Sequence, residues 1–126
     1  MKINNYVDIS TIDKEAKKDY VDRHSPFIYC DEKMEKGKKS MVKVQVGKEY
    51  SHPDDFDHYI DKVELYDGDR LLAQAHVPAG TLGNQSEQLE VYFSVVPTKK
   101  KLKLSALAYC TKHGVWQSGE TVVEVV

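Results

Sequence analysis

The sequence predicts an all-β protein, an antiparallel β-sandwich of about seven strands with a short N-terminal helix. Three observations predict it. Apolar and polar side chains alternate with a two-residue period in segment after segment, turn formers punctuate those segments, and no long helical period appears anywhere.

The elements follow in order. Ser10 or Thr11 can cap a helix over residues 10–21, with Asp13 and Glu15 in its first turn and Lys17 and Lys18 in its last. Phe27-Ile28-Tyr29 opens the strands. Met41 to Val46 alternates cleanly, and Val63 and Leu65 alternate with Lys62 and Glu64. Leu71, Ala73, Ala75 and Val77 share one face of the next strand. Asp67-Gly68-Asp69 between them is a hairpin signal, because glycine accepts the positive φ of a tight turn. Leu89, Val91, Phe93 and Val95 repeat the pattern, as do Leu102, Leu104, Ala106 and Ala108, and Thr121 to Val126 closes the set. Gly80 to Gln88 reads as a loop.

The 126 residues suit a single domain, and no repeat or linker divides them. Eighteen basic and twenty acidic residues leave a formal net charge of −2, which supports neither nucleic-acid nor membrane-surface binding. No segment approaches the roughly eighteen apolar residues of a membrane span, and residues 1–8 lack the apolar core of a secretory signal. With Cys30 and Cys110 as the only cysteines, no disulfide framework is expected, and the expected location is the cytoplasm.

Four of the five histidines fall in suggestive company. His52 and His58 bracket an acidic loop, Pro53-Asp54-Asp55-Phe56-Asp57. Cys110 and His113 form a C-x-x-H pair directly after an apolar strand, where residues entering loops converge at one end of a sandwich. His24 stands just before Pro26, where an extended chain is expected. A thiolate with several imidazoles suits zinc, iron or copper. Blue-copper sites usually place an axial methionine downstream of the last histidine, whereas Met1, Met34 and Met41 all lie upstream, so copper is disfavoured. A tetrahedral zinc site would leave one of the five candidates unused. His76 reads as structural or solvent-facing, and Cys30 as a small buried hydrophobe.

Asp22-Arg23-His24-Ser25-Pro26, Gly47-Lys48-Glu49-Tyr50-Ser51-His52-Pro53, Asp57-His58-Tyr59-Ile60 and Tyr109-Cys110-Thr111-Lys112-His113-Gly114-Val115-Trp116 together resemble the superoxide reductases, the neelaredoxin and desulfoferrodoxin family. The resemblance begins near Asp22, which divides the single domain 1–126 into an N-terminal extension, 1–21, and a sandwich, 22–126. It implies an immunoglobulin-like sandwich of the one-iron type. Its iron would take four equatorial imidazoles (His24, His52, His58 and His113) and an axial Cys110 thiolate, with the opposite position open. The implied reaction is the one-electron reduction of superoxide to hydrogen peroxide. The iron would then be re-reduced by an external donor, often rubredoxin in this family, and a homodimer or homotetramer is possible.

The resemblance also implies catalytic roles for Asp22, Arg23 and Lys48. The usual glutamate–lysine pair is replaced by Asp22 and Arg23. The glutamate can close over the ferric iron, and aspartate is one methylene shorter. Arginine keeps the charge that attracts superoxide but does not give up its proton. Lys48 is the second candidate for attraction. Two competing readings are a non-catalytic iron module for electron transfer or redox sensing, and a zinc-stabilised interaction domain.

Overall fold

A computed structural model describes all 126 residues. In chain order the strands are β1 (Ile3–Asn5), β2 (Pro26–Tyr29), β3 (Lys33–Met34), β4 (Ser40–Val46), β5 (Ile60–Asp67), β6 (Arg70–His76), β7 (Leu89–Val95), β8 (Lys101–Cys110), β9 (Gly114–Gln117) and β10 (Thr121–Val125). A 3-10 turn, Ile9–Thr11, and one helix, α1 (Glu15–His24), lie between β1 and β2.

Two sheets face each other. The smaller has the order β2-β4-β7 and is wholly antiparallel. The larger is built around β8, whose long edge pairs with β5, itself paired to β6. The other edge of β8 takes β10 along its first half and β9 along its second. The alternating residues meet between the sheets: Val42, Val44, Val46 and Phe93 from one side, Val63, Leu65, Leu104, Ala106 and Ala108 from the other. Burial of this apolar surface drives the packing, at about 25 cal/mol per Å².

Every segment expected as a strand is one, and the 68–69 turn joins β5 to β6 with Gly68 at φ +59°. Three short strands escape the periodicity: β1, β3 and β9. β1 pairs with β9, and β3 with β10, in parallel, so the sandwich is not purely antiparallel. Two further expectations need correction. The apolar face of β6 does not begin at Leu71, which is 43% exposed. The pairing shifts register between Leu65 and Tyr66, Leu72 is the extra residue, and it packs on the core instead. The helix is displaced as well: residues 9–11 form the 3-10 turn, capped by the Asp8 carboxylate, and α1 starts at Glu15 and runs through His24. It thus crosses the 21/22 boundary, and β1 ties the leading residues to the sandwich.

Candidate metal centre

His24 is the last residue of α1, not part of an extended run. Pro26 restrains only its immediate predecessor, and Ser25 takes the extended conformation (φ −81°, ψ 130°). Ser25 Oγ donates to the Val21 carbonyl at 2.6 Å, which closes the helix end. His52 and His58 come from the β4–β5 loop, Cys110 ends β8, and His113 sits in the turn to β9.

These five side chains converge. Donor atoms of His24, His52, His58 and Cys110 all lie within 4.8 Å of one another. His113 Nδ1 stands 3.1 Å from His24 Nε2 and 3.8 Å from Cys110 Sγ. The imidazoles form a square. Neighbouring ring centroids around it are 4.9, 4.8, 4.9 and 4.8 Å apart, each ring steeply inclined to the next, and His24 and His58 face each other across it at 6.2 Å.

Proton positions follow from the carbonyls. His24 Nδ1 lies 2.6 Å from the Tyr20 carbonyl and His52 Nδ1 2.7 Å from that of Pro53. A carbonyl only accepts, so each Nδ1 carries the hydrogen and each Nε2 keeps its lone pair. His52 Nε2 and His58 Nε2 are buried without any protein partner. Burial, above all, lowers His24 to about 4 and His52 to about 3, and lowers His58 too. Unpartnered lone pairs on uncharged rings are a poor arrangement for a protein alone and a suitable one for a cation. Two nitrogens about 2.1 Å from one ion, at right angles, would stand roughly 3 Å apart, close to the His24–His113 separation. The donor set fits a metal ion. Burial raises the Cys110 thiol, partly offset by backbone amides, including the His113 N–H at 3.3 Å from Sγ; a bound metal would deprotonate it.

The surroundings hold the square. Trp116 stacks on His24 at 5.1 Å and its Nε1–H donates to the His113 carbonyl at 3.1 Å. Tyr20 packs edge-on against His113. His52 is pinned by paired backbone hydrogen bonds to Glu87, and His58 by a pair to Asp55. The Asp54 carboxylate accepts N–H bonds from Gly80, Leu82 and Asn84. Nothing in the sequence marks Tyr20, or singles out Asp54 from its acidic loop, as a support for the site, although Tyr20 precedes His24 by one helical turn.

The other candidates are placed differently. Asp22 is 1% exposed, and its Oδ2 accepts the backbone N–H groups of Lys48, Glu49 and Tyr50. Arg23 is half-buried and ion-paired with Asp19 through Nε, at 2.7 Å, and Nη2. Lys48 is exposed and lines an open cavity of about 520 Å³ with Tyr6, Asp8 and Tyr50. One cation was missed: the exposed Lys112, inside the C-x-x-H turn. After burial and His113, its charge is the next influence holding His58 down, with Arg23 contributing less. The spacing of the motif already put it between two candidate ligands. His76 is exposed at the end of β6, and Cys30 is half-buried against the core.

The desulfoferrodoxin family model matches residues 12–119. A superoxide reductase from Pyrococcus furiosus is 36% identical over 80% of this chain and 89% of its own length. A neelaredoxin from Megalodesulfovibrio gigas is 27% identical over 80% of this chain and 87% of its own. The solved superoxide reductase (neelaredoxin) from Ignicoccus hospitalis superposes with a TM-score of 0.67 at 26% identity, covering 82% of this chain and 81% of that one. The imidazole square with its cysteine and these likenesses lead to one assignment: the chain belongs to the desulfoferrodoxin family.

Proposed function

We propose that this chain is a superoxide reductase whose single iron is held by His24, His52, His58, His113 and Cys110. The observation that carries the reading is the square of four imidazoles with a thiol beside it, the Nε2 atoms of His52 and His58 buried without protein partners. These residues would hold the iron, which would supply one-electron reduction of superoxide, with two protons completing hydrogen peroxide.

The chain's own groups have separable tasks. The Tyr20 and Pro53 carbonyls hold the His24 and His52 rings in one tautomer and one orientation. Cys110, deprotonated on a bound metal, would bring a negative charge that favours electron donation, and the amide N–H groups on its sulfur would temper that charge. Arg23, Lys48 and Lys112 are the cations proposed to draw in the anion. A guanidinium does not release a proton near neutral pH, so the protons come from water, which Arg23 can order. A small external electron carrier such as rubredoxin would restore the ferrous state. No helix of the chain is long and apolar enough to cross a membrane.

The test is metal analysis, spectroscopy and product stoichiometry on one preparation. Oxidised iron protein is expected to show a visible thiolate-to-iron band, absent in Cys110→Ser. Ferrous protein with excess reductant is expected to yield one hydrogen peroxide per superoxide consumed. A ratio of one half would mean dismutation, and zinc as the sole bound metal would remove the reading altogether.

A further inference from the structure

We propose that Asp22 is a positioning residue that ties the helix carrying His24 to the turn leading to His52, and that its carboxylate does not close over the metal position. The proposal rests on the iron-site reading above.

The first ground is the hydrogen bonding. Asp22 Oδ2 accepts three backbone N–H groups, from Lys48 at 3.0 Å, Glu49 at 2.9 Å and Tyr50 at 2.8 Å. Successive amides converging on one point form a nest for an anion, and here Oδ2 fills it while Oδ1 is buried without a hydrogen-bond partner. Swinging out to meet a metal would break all three bonds at once and give up a charge-assisted acceptor for every one of these amides.

The turn is shaped for this occupant. Gly47 has φ +83°, and a Cβ there would stand 2.2 Å from the Tyr50 carbonyl oxygen, so no side chain fits while the amides point at Asp22. The Gly47 N–H donates to the Ser25 carbonyl at 2.9 Å, which fastens the same turn to the residue after His24. Bonds spanning 26–28 residues of sequence therefore join the two ligand-bearing segments.

Helix geometry supplies the third ground. Asp22 and His24 are two residues apart on α1, and such pairs do not face each other on a helix. With His24 turned to the square, Asp22 is turned to the 48–50 turn. Asp54 makes the same kind of clamp on the far side of His52, with Gly80, Leu82 and Asn84. His52 thus lies between two turns, each gathered by a buried carboxylate.

Asp22→Asn keeps an oxygen acceptor for the amides but removes the anion, and Asp22→Ala removes both. In the oxidised iron protein, Asp22→Asn is expected to leave the charge-transfer band in place and azide affinity within twofold of the parent. Asp22→Ala is expected to release ferrous iron to a chelator at least tenfold faster, with Asp22→Asn within threefold of the parent. In metal-free protein, the Lys48, Glu49 and Tyr50 amides of Asp22→Ala should exchange hydrogen at least tenfold faster, those of β4 and β8 unchanged. A shifted band with tenfold tighter azide binding in Asp22→Asn would show that the carboxylate ligates, and would overturn the proposal. Unaltered amide exchange in Asp22→Ala would overturn it equally. Should Asp22→Ala not fold, Asp22→Asn still decides through its spectrum. If the parent takes up no iron, the reductase reading fails, and the metal-free exchange comparison still judges the clamp.

Discussion

A neutral imidazole offers one lone pair, and the partner of its other nitrogen decides which. The Tyr20 and Pro53 carbonyls make that choice for His24 and His52, leaving both rings uncharged and buried. Their folded-state values, about 4 and about 3, lie below the ordinary 6.5. Between those limits the unfolded chain binds more protons than the folded one, so stability rises with pH there. Metal-free protein is therefore expected to be fully stable above about pH 6.5 and to lose stability as pH falls towards 3, measured by denaturant unfolding across that range. Flat stability between pH 7 and 4 would contradict the buried, uncharged assignment. Trp116 acts on two of the histidines, stacking on the His24 ring and donating a hydrogen bond to the His113 carbonyl. Trp116→Phe keeps an aromatic face and loses the bond to the His113 carbonyl. It is expected to weaken iron retention roughly tenfold, read by chelator competition.

At the scale of elements, the informative places are where an alternating pattern breaks. A run of Leu71, Ala73 and Ala75 predicts one inward face, yet the extra residue opposite Leu65 and Tyr66 turns Leu71 out and Leu72 in. Leu72→Ala is expected to cost about 2 kcal/mol and Leu71→Ala less than about 0.5 kcal/mol, by chemical denaturation. Equal costs would place the irregularity elsewhere. Turns allow a similar contrast. Gly68 has φ +59° with open space where a Cβ would go, whereas Gly47 would drive one into the Tyr50 carbonyl. Gly68→Ala should cost only the left-handed backbone penalty, about 1 kcal/mol. Gly47→Ala is expected to cost at least about 1 kcal/mol more and to loosen the metal. The helix begins a few residues later than its capping signals suggest for a related reason: Ser10 and Thr11 are good caps, but the Asp8 carboxylate already closes a separate 3-10 turn there.

For the whole molecule, a net charge of −2 repels superoxide at long range, so attraction must be local. Arg23 spends part of its charge on Asp19, while Lys112 stands free in its turn. Asp19→Asn is expected to quicken superoxide reduction about twofold at low ionic strength, and Lys112→Ala to slow it and flatten its salt dependence, both by pulse radiolysis. Rates independent of salt in every variant would remove steering from the account.

The strands and the candidate ligands were legible because both are written locally. Alternation needs only a few consecutive residues, and Cys110-x-x-His113 needs only a strand exit. β1, β3 and β9 were not, since two to four residues hold too little pattern and owe their state to distant partners. Asp22 shows the same divide within the site. Its position beside His24 was plain, but only folding brings the Lys48–Tyr50 amides, 26–28 residues away, onto its oxygen. Residue chemistry is carried along the chain, whereas the partner of a buried charge is set by whichever remote backbone the packed core delivers to it.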